Sequence, residues 1–408
     1  MICQDHRSQK RSRDDTSSIQ EPVIQILGDI FTDILALIPA SGFKVGGDTL
    51  SKINVMAGGS GLNVCVHMAA YLKWRNASSK SSSATKRVAM FSCVGDDLHG
   101  KLCLDKLREA GVDTEGVCVS KHGNKTGSCI VLSSGLERSF VTDAACISDE
   151  LALPLFLRED STLYKSPACH FHVSGYYNLV QLRIAGGLRE ALSKAKEQGL
   201  PTSLNPQSDS MGLWNGIRNV APVLDLLIAN EEEVLQIANS NERDPSLEPR
   251  TSSLSKAAAR LLSWGCGCVV ATLGSRGATA FYRTTDEDFS PQPPHSPGAG
   301  GVSRRRGSIT STRSVAKQDA LFVVELEVVG RRLDSAIVDT TGAGDAFTGA
   351  FIGALHATSA ESEERQIFHL PFTETQVIAA LQAGCEAGAL ACTVLGGSTV
   401  PLRMGSDN

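Results

Sequence analysis

Short apolar runs alternate with amphipathic stretches along most of the chain. The runs lie at Val23–Leu27, Arg87–Cys93, Ala168–Val173, Pro201–Leu204, Asp225–Ile228 and Cys268–Thr272, and each reads as a buried strand. Helical spacing predicts helices over Asn63–Trp74, Gly100–Ala110, Leu182–Gln198, Glu231–Ala238 and Leu254–Trp264. Strands alternating with helices imply an α/β fold of three αβα layers, with a mostly parallel central sheet covered on both faces. Phe43–Met56 and Lys125–Thr142 break that rhythm. They are extended and partly polar, with no helix between their strands, as a small separate β-sheet requires.

Two segments interrupt the pattern. Asn76–Lys86 is rich in Ser and Lys and reads as a loop. Thr284–Ala320 contains PQPPHSPGAGG followed by SRRRGSITSTRS, a composition too poor in apolar surface to order a chain. It is expected to loop out between strands Ala278–Arg283 and Leu321–Val328. Arg305-Arg306-Gly307-Ser308 within it fits a basophilic protein-kinase site at Ser308. Met1–Gln20 is polar with charges of both signs and lacks an apolar core, so it reads as a disordered tail. One folded unit over residues 22–402 is expected, with tails at 1–21 and 403–408.

Composition narrows the function classes. The chain has 408 residues, 42% hydrophobic and 20% charged, as expected of a soluble globular protein. A net charge of −5 supplies no basic field for nucleic acid. No apolar run has the roughly 18 residues of a membrane span. Of the 12 cysteines, Cys65, Cys93, Cys129, Cys268 and Cys392 sit in apolar stretches, and no CxxC pair occurs. Buried reduced thiols in a cytoplasmic protein are expected, rather than disulfides or zinc.

The strongest chemical signal is Asp339 to Phe347, DTTGAGDAF. The apolar run Ala336-Ile337-Val338 leads in, and a small-residue helix, Ala346–Leu355, leads out. Gly342-Ala343-Gly344 lets backbone N–H groups converge at a helix N-terminus, which binds anions. Asp345 then puts a carboxylate inside an anion site. Its natural task there is to take a proton from a nucleophile that attacks phosphorus.

This stretch resembles the C-terminal signature of the PfkB (ribokinase-like) family of carbohydrate and nucleoside kinases, and the similarity covers most of Gln25–Pro401. The resemblance implies a β-sheet lid, with segments near 41–57 and 125–142, and Asp345 as catalytic base. It also implies that Gly342, Ala343 and Gly344 form the anion hole for the transferring phosphoryl group. Gly58-Gly59-Ser60-Gly61-Leu62-Asn63 resembles the family's N-terminal signature, in which Gly59 and Asn63 contact the sugar. Asp33, in Gly28-Asp29-Ile30-Phe31-Thr32-Asp33, matches the aspartate that holds sugar hydroxyls, with Asp29 as the competing candidate. Asn230-Glu231-Glu232-Glu233 resembles the NxxE element, which gives Asn230 to the nucleotide phosphates and Glu233 to Mg2+. Thr272-Leu273-Gly274-Ser275-Arg276-Gly277 resembles the nucleotide-contacting turn, with Thr272, Gly274, Ser275 and Gly277 facing ATP. Asp339 and Thr341 match residues that coordinate a monovalent cation such as K+, with Gly396-Gly397-Ser398 as the second half of that site.

Two other features carry no chemistry. Gly95 to Lys101 has P-loop spacing, but Leu102 stands where Ser or Thr would hold magnesium. His170 and His172 alternate on a buried strand without a spaced third ligand. The chain therefore reads as a kinase that moves the γ-phosphoryl group of Mg-ATP to ribose or a ketose such as fructose. Ser60 stands where ribokinases carry lysine, and Tyr176 and Tyr177 are candidates to stack on a sugar ring or base. A nucleoside kinase of the adenosine type stays open, as does a catalytically lapsed binding or regulatory protein. Lid strands pair between subunits in this family, so a homodimer is one possible assembly.

Overall fold

The computed structural model describes residues 21–39, 41–78, 86–134, 137–156, 162–165, 167–240, 250–284, 311–318, 321–331, 335–357, 367 and 370–401. The strands are β1 (Val23–Gly28), β2 (Phe31–Leu37), β3 (Lys52–Gly58), β4 (Arg87–Val94), β5 (Val117–Val119), β6 (Gly127–Ser134), β7 (Glu137–Asp143), β8 (Ala168–Ser174), β9 (Thr202–Asn205), β10 (Leu226–Asn230), β11 (Cys268–Thr272), β12 (Gly277–Thr284), β13 (Ser311–Gln318) and β14 (Leu321–Val329). The helices are α1 (Ser60–Ser78), α2 (Leu98–Glu109), α3 (Ala145–Asp149), α4 (Val180–Ile184), α5 (Gly187–Glu197), α6 (Ile217–Val220), α7 (Glu231–Ala238), α8 (Leu254–Ser263), α9 (Ala343–Ala357) and α10 (Glu374–Ala391).

One ten-stranded sheet runs β13-β14-β12-β11-β10-β9-β8-β1-β4-β5. Pairing is parallel from β11 through β5 and antiparallel among β11, β12, β14 and β13. Strand β1 is buried along its whole length, because helices cover both faces of the sheet. One core lies under α4, α5, α7 and α8 and includes Leu188, Leu192, Val234 and Leu261. The other lies under α1, α2, α9 and α10 and includes Leu62, Leu107, Phe351 and Leu381. A second sheet of order β3-β2-β6-β7 stands apart from these layers. The architecture is the expected three αβα layers, with a smaller added sheet.

The structure departs from the sequence reading at several points. The helix expected over Leu182–Gln198 is two helices, because Gly186 turns the backbone left-handed at φ +70° between α4 and α5. Part of the expected Thr284–Ala320 loop is strand β13, paired with β14 from Ser311↔Val328 to Gln318↔Leu321. An averaged composition hides STRSVAKQ, whose alternation completes an otherwise open edge of β14. Residues 285–310, Ser308 among them, lie outside the described residues. In the small sheet, regular strand starts only at Lys52, and the sheet recruits Phe31–Leu37, which Asp33 near its start disguised. The run leading into the phosphate motif forms no strand, and Ile337 and Val338 are more than half exposed.

Two features of this frame position the site. Polar residues end neighbouring strands in register: Gly28 opposite Ser174, Ser174 opposite Asn205, and Asn230 opposite Thr272. In an open α/β sheet the crevice beyond these carboxyl ends takes the ligand. Helices α1 and α9 also cross closely. A Cβ at Gly349 would sit 2.8 Å from the Met68 nitrogen and 2.8 Å from the Val64 oxygen. That contact brings the first turns of both helices to one place. Gly349→Leu is therefore expected to lower stability by about 3 kcal/mol through overpacking, read as a lower denaturant midpoint. An unchanged midpoint would show that the crossing tolerates a side chain.

Candidate active site

The first turn of α9 is built from the glycine-rich motif. Gly342 has φ +74°, and a Cβ there would strike the Gly397 Cα at 2.5 Å. A Cβ on Gly344 would meet nothing within 4 Å, so this turn is open on its ligand side. Thr340, Thr341, Gly342, Gly344 and Asp345 line a cleft of about 410 Å³. The start of the helix and its dipole suit this face to a phosphoryl group. Ala343 belongs to the same turn without lining the cleft.

Asp345 is 6% exposed and held on both oxygens. Ser60 Oγ donates to Oδ1 at 2.8 Å and Gln207 Nε2 donates to Oδ1 at 3.0 Å. Asn63 Nδ2 donates to Oδ2 at 2.9 Å. Burial pushes this carboxyl up to about 7, and the Asp29 charge adds to the rise, while the Asn63, Ser60 and Gln207 hydrogen bonds oppose it. A carboxylate near neutrality at the mouth of an anion-binding turn has the properties of a general base.

Asp33, Gly59 and Asn63 line the same cleft as Asp345. Asp33 comes from β2 of the small sheet, and burial, with the Asp345, Asp29 and Asp339 charges, raises it to about 7. The competing Asp29 also lines the cleft, but its oxygens accept from Gly61 N at 2.8 Å and Asn178 Nδ2 at 2.6 Å. Asn63 Oδ1 is buried without a partner, which fits a ligand hydroxyl. Sequence reasoning missed Asn205, Gln207 and Arg138 as members of the site, and read Ser60 only as the place where ribokinases carry lysine. Asn205 was findable as the polar end of a predicted strand. Gln207 and Arg138 lie in loop or lid sequence without a motif of their own.

Tyr176 and Tyr177 do not reach the cleft. They are 3% and 5% exposed and pack with each other, and Tyr177 also packs on Trp214, under the Arg183 guanidinium. Their expected stacking on a ligand is thereby corrected, because the turn after β8 folds them into the core. His170 Nε2 and His172 Nδ1 share Ser203 Oγ at 2.7 Å each, so the pair serves the sheet interior. In the P-loop look-alike, Asp97 caps α2 by accepting from Gly100 N at 2.7 Å.

On the nucleotide side, Asn230, Glu233 and Thr272 line the cleft. Asn230 and Glu233 also form a capping box: Glu233 N donates to Asn230 Oδ1 at 2.8 Å, and Asn230 N to Glu233 Oε2 at 3.0 Å. Desolvation, with the Asp345 charge, raises Glu233 to about 7. An oxygen donor whose negative charge is uncompensated fits a hydrated Mg2+ shared with phosphates. Gly274 and Ser275 form an exposed turn outside the cleft lining, which the Arg276–Glu231 ion pair ties to α7. Gly277 is not part of the cleft lining either, and a Cβ there would lie 2.0 Å from the Val328 oxygen. Its glycine serves the close approach of β12 to β14.

Asp339 and Thr341 meet the C-terminal loop as expected. Asp339 Oδ1 accepts from Thr341 N at 3.0 Å and Thr341 Oγ1 at 2.7 Å, and Oδ2 accepts from Gly396 N at 2.9 Å. The corner departs from a cation site in one respect. The Arg138 guanidinium stands 3.5 Å from Asp339 Oδ1 and donates to Thr341 Oγ1 at 3.0 Å. This arrangement does not favour K+, because a cationic side chain already stands beside the carboxylate.

Comparison with known proteins places this geometry. A pfkB family carbohydrate kinase profile matches residues 27–298 and 316–403. An adenosine kinase of Schizophyllum commune is 26% identical over 285 residues, covering 67% of this chain and 68% of that protein. A ribokinase of Schizosaccharomyces pombe is 24% identical over 340 residues, covering 81% and 85%. Among solved structures, ribokinase from Giardia lamblia superposes with a TM-score of 0.65 at 19% identity, covering 94% of this chain and 96% of that one. Ribokinase of Arabidopsis thaliana, complexed with ribose and ATP, gives 0.60 at 18% identity, covering 93% and 96%. With the signature motifs converging on one cleft in a ribokinase-like fold, the chain belongs to the PfkB family of carbohydrate kinases.

Proposed function

We propose that this protein transfers the γ-phosphoryl group of ATP to a hydroxyl of a small sugar, ribose or a ketose such as fructose. The observation that carries the reading is the buried Asp345 carboxylate at the open first turn of α9, facing a cleft lined by hydrogen-bonding side chains. Asp345 takes the proton of the attacking hydroxyl. Asp33 and Asn63 hold other hydroxyls, so the reacting oxygen stays in attack geometry. The N–H groups of the Gly342–Gly344 turn stabilise charge on the transferring group. When bound, Mg2+ neutralises phosphate charge, with Glu233 as the oxygen donor this chain offers it. The small sheet contributes Arg138, Phe140 and Thr142 to the cleft wall and acts as a lid that excludes water, itself a competing acceptor.

A nucleoside acceptor is the second reading. The adenosine kinase relative favours it, as do Phe31 and Phe140, aromatic rings that line the cleft. An ADP-release assay over pentoses, ketohexoses and nucleosides separates the two. Greatest kcat/KM on a sugar supports the first reading, and on a nucleoside the second.

Asp345→Asn is expected to lower kcat by at least about 10²-fold with ATP affinity retained; retention of most turnover would remove Asp345 from its role. Because the base works ionised and sits near 7, kcat/KM should fall below pH 7 and level off above it. The same raised value costs stability: the folded protein holds this proton more tightly than the unfolded chain, so stability is lost as pH climbs from 3.8 towards 7. Asp345→Asn should therefore raise the melting temperature more at pH 8 than at pH 4. With Arg138 filling the cation corner, rates in potassium and tetraalkylammonium buffers should agree within about twofold; strong potassium stimulation would restore the cation site.

A further inference from the structure

Resting on the kinase reading, one feature of the cleft has a role that the motifs do not assign. Gln207 is a non-glycine residue in left-handed backbone, at φ +60°. Such strain persists only where the surroundings fix it, and it concentrates at functional sites. Here the surroundings fix it from both sides. Tyr177 N donates to the Pro206 oxygen at 3.0 Å, and Gly175 N to Asn205 Oδ1 at 3.0 Å. Beyond Gln207, Asp209 accepts from Met211 N, Leu213 N and Trp214 N at 3.0, 3.0 and 2.7 Å.

The strained backbone aims one amide at two partners. Gln207 Nε2 donates to Ser60 Oγ at 2.8 Å and to Asp345 Oδ1 at 3.0 Å. Ser60 in turn gives its proton to the same Oδ1. An ionised carboxylate offers about four lone-pair sites, two on each oxygen. Ser60 and Gln207 fill both sites on Oδ1, and Asn63 fills one on Oδ2. The single site left is on Oδ2, the oxygen beside the residue that matches the family's sugar-binding asparagine.

We propose that Gln207 is a positioning residue for the catalytic base, closing Oδ1 together with Ser60 so that Oδ2 alone accepts the proton of the attacking hydroxyl. The same amide favours the ionised form of Asp345 and opposes the rise that burial imposes. Proton transfer is direct: the O–H bond of the acceptor breaks, the proton goes to Oδ2, and the oxygen lone pair attacks phosphorus while ADP leaves.

The test follows the Asp345 carboxyl carbon by ¹³C NMR titration, with Asp345→Asn assigning the signal. Gln207→Ala and Gln207→Gly both remove the amide, and glycine also suits φ +60°, so it secures the fold. In both variants the midpoint should rise by about half a unit or more, with the acid limb of kcat/KM for ribose moving the same way and KM for ATP unchanged. A midpoint that stays at the wild-type value in the folded Gln207→Gly protein overturns the proposal. This readout needs no turnover, so wild-type protein inactive on every acceptor would defeat the kinase reading while the midpoint still tested Gln207. A crystal structure with ribose and a non-hydrolysable ATP analogue checks the oxygen. The reacting hydroxyl within hydrogen-bond distance of Oδ2 supports the proposal, whereas contact at Oδ1 with Gln207 displaced overturns it.

Discussion

The structure depends on keeping one carboxylate, that of Asp345, out of water beside an anion site. Burial without partners would cost several kcal/mol or neutralise the group. Donors from distant parts of the sequence prevent this: Ser60 and Asn63 from α1, and Gln207 from beyond β9. They reach it because α1 and α9 cross at a glycine and because β9 ends beside β8, the neighbour of β1. The two signature motifs, far apart in sequence, are thus two halves of one solvation shell. Each loses its purpose if the helix crossing opens.

The sequence showed the layers and the phosphate end of the site well, since both rest on local signals. Buried strands announce themselves as apolar runs, and the anion turn needs glycines at fixed places, of which Gly342 is one. What was hidden depends on partners far along the chain. Gln207 has no motif because its role is created by Asp345, 138 residues away. Arg138 became visible only once β7 lay beside the Thr341 loop. The tyrosines after β8 were misread because their direction is set by packing against Trp214, which no local pattern states. Strand β13 escaped because edge pairing is decided by the neighbour that needs completing.

The two sides of the cleft are built by different means. On the proposed reading the phosphate side rests largely on backbone turns: a helix start and a glycine turn, with a capping box beside them, all within the central layers. The acceptor side is mostly side chains, drawn from α1, the β9 end and the small sheet. Backbone sites serve any nucleoside triphosphate, whereas side chains can be exchanged one at a time. This division accounts for a family in which the phosphate chemistry is constant and the acceptor varies. It also explains why the acceptor is the hardest property to read from the chain.

Asp33 belongs to β2, and β2 is the inner strand that joins β3 to β6. The residue proposed to grip the acceptor is therefore a structural beam of the small sheet, not a passenger on a loop. Any tilt of that sheet moves the grip with it, and any misfit at the grip resists the tilt. On the proposed reading, recognition and closure share a single mechanical degree of freedom. Fidelity in such an arrangement comes from stiffness: an acceptor of the wrong shape is refused by a cover that fails to seat, before any bond to phosphorus begins to form.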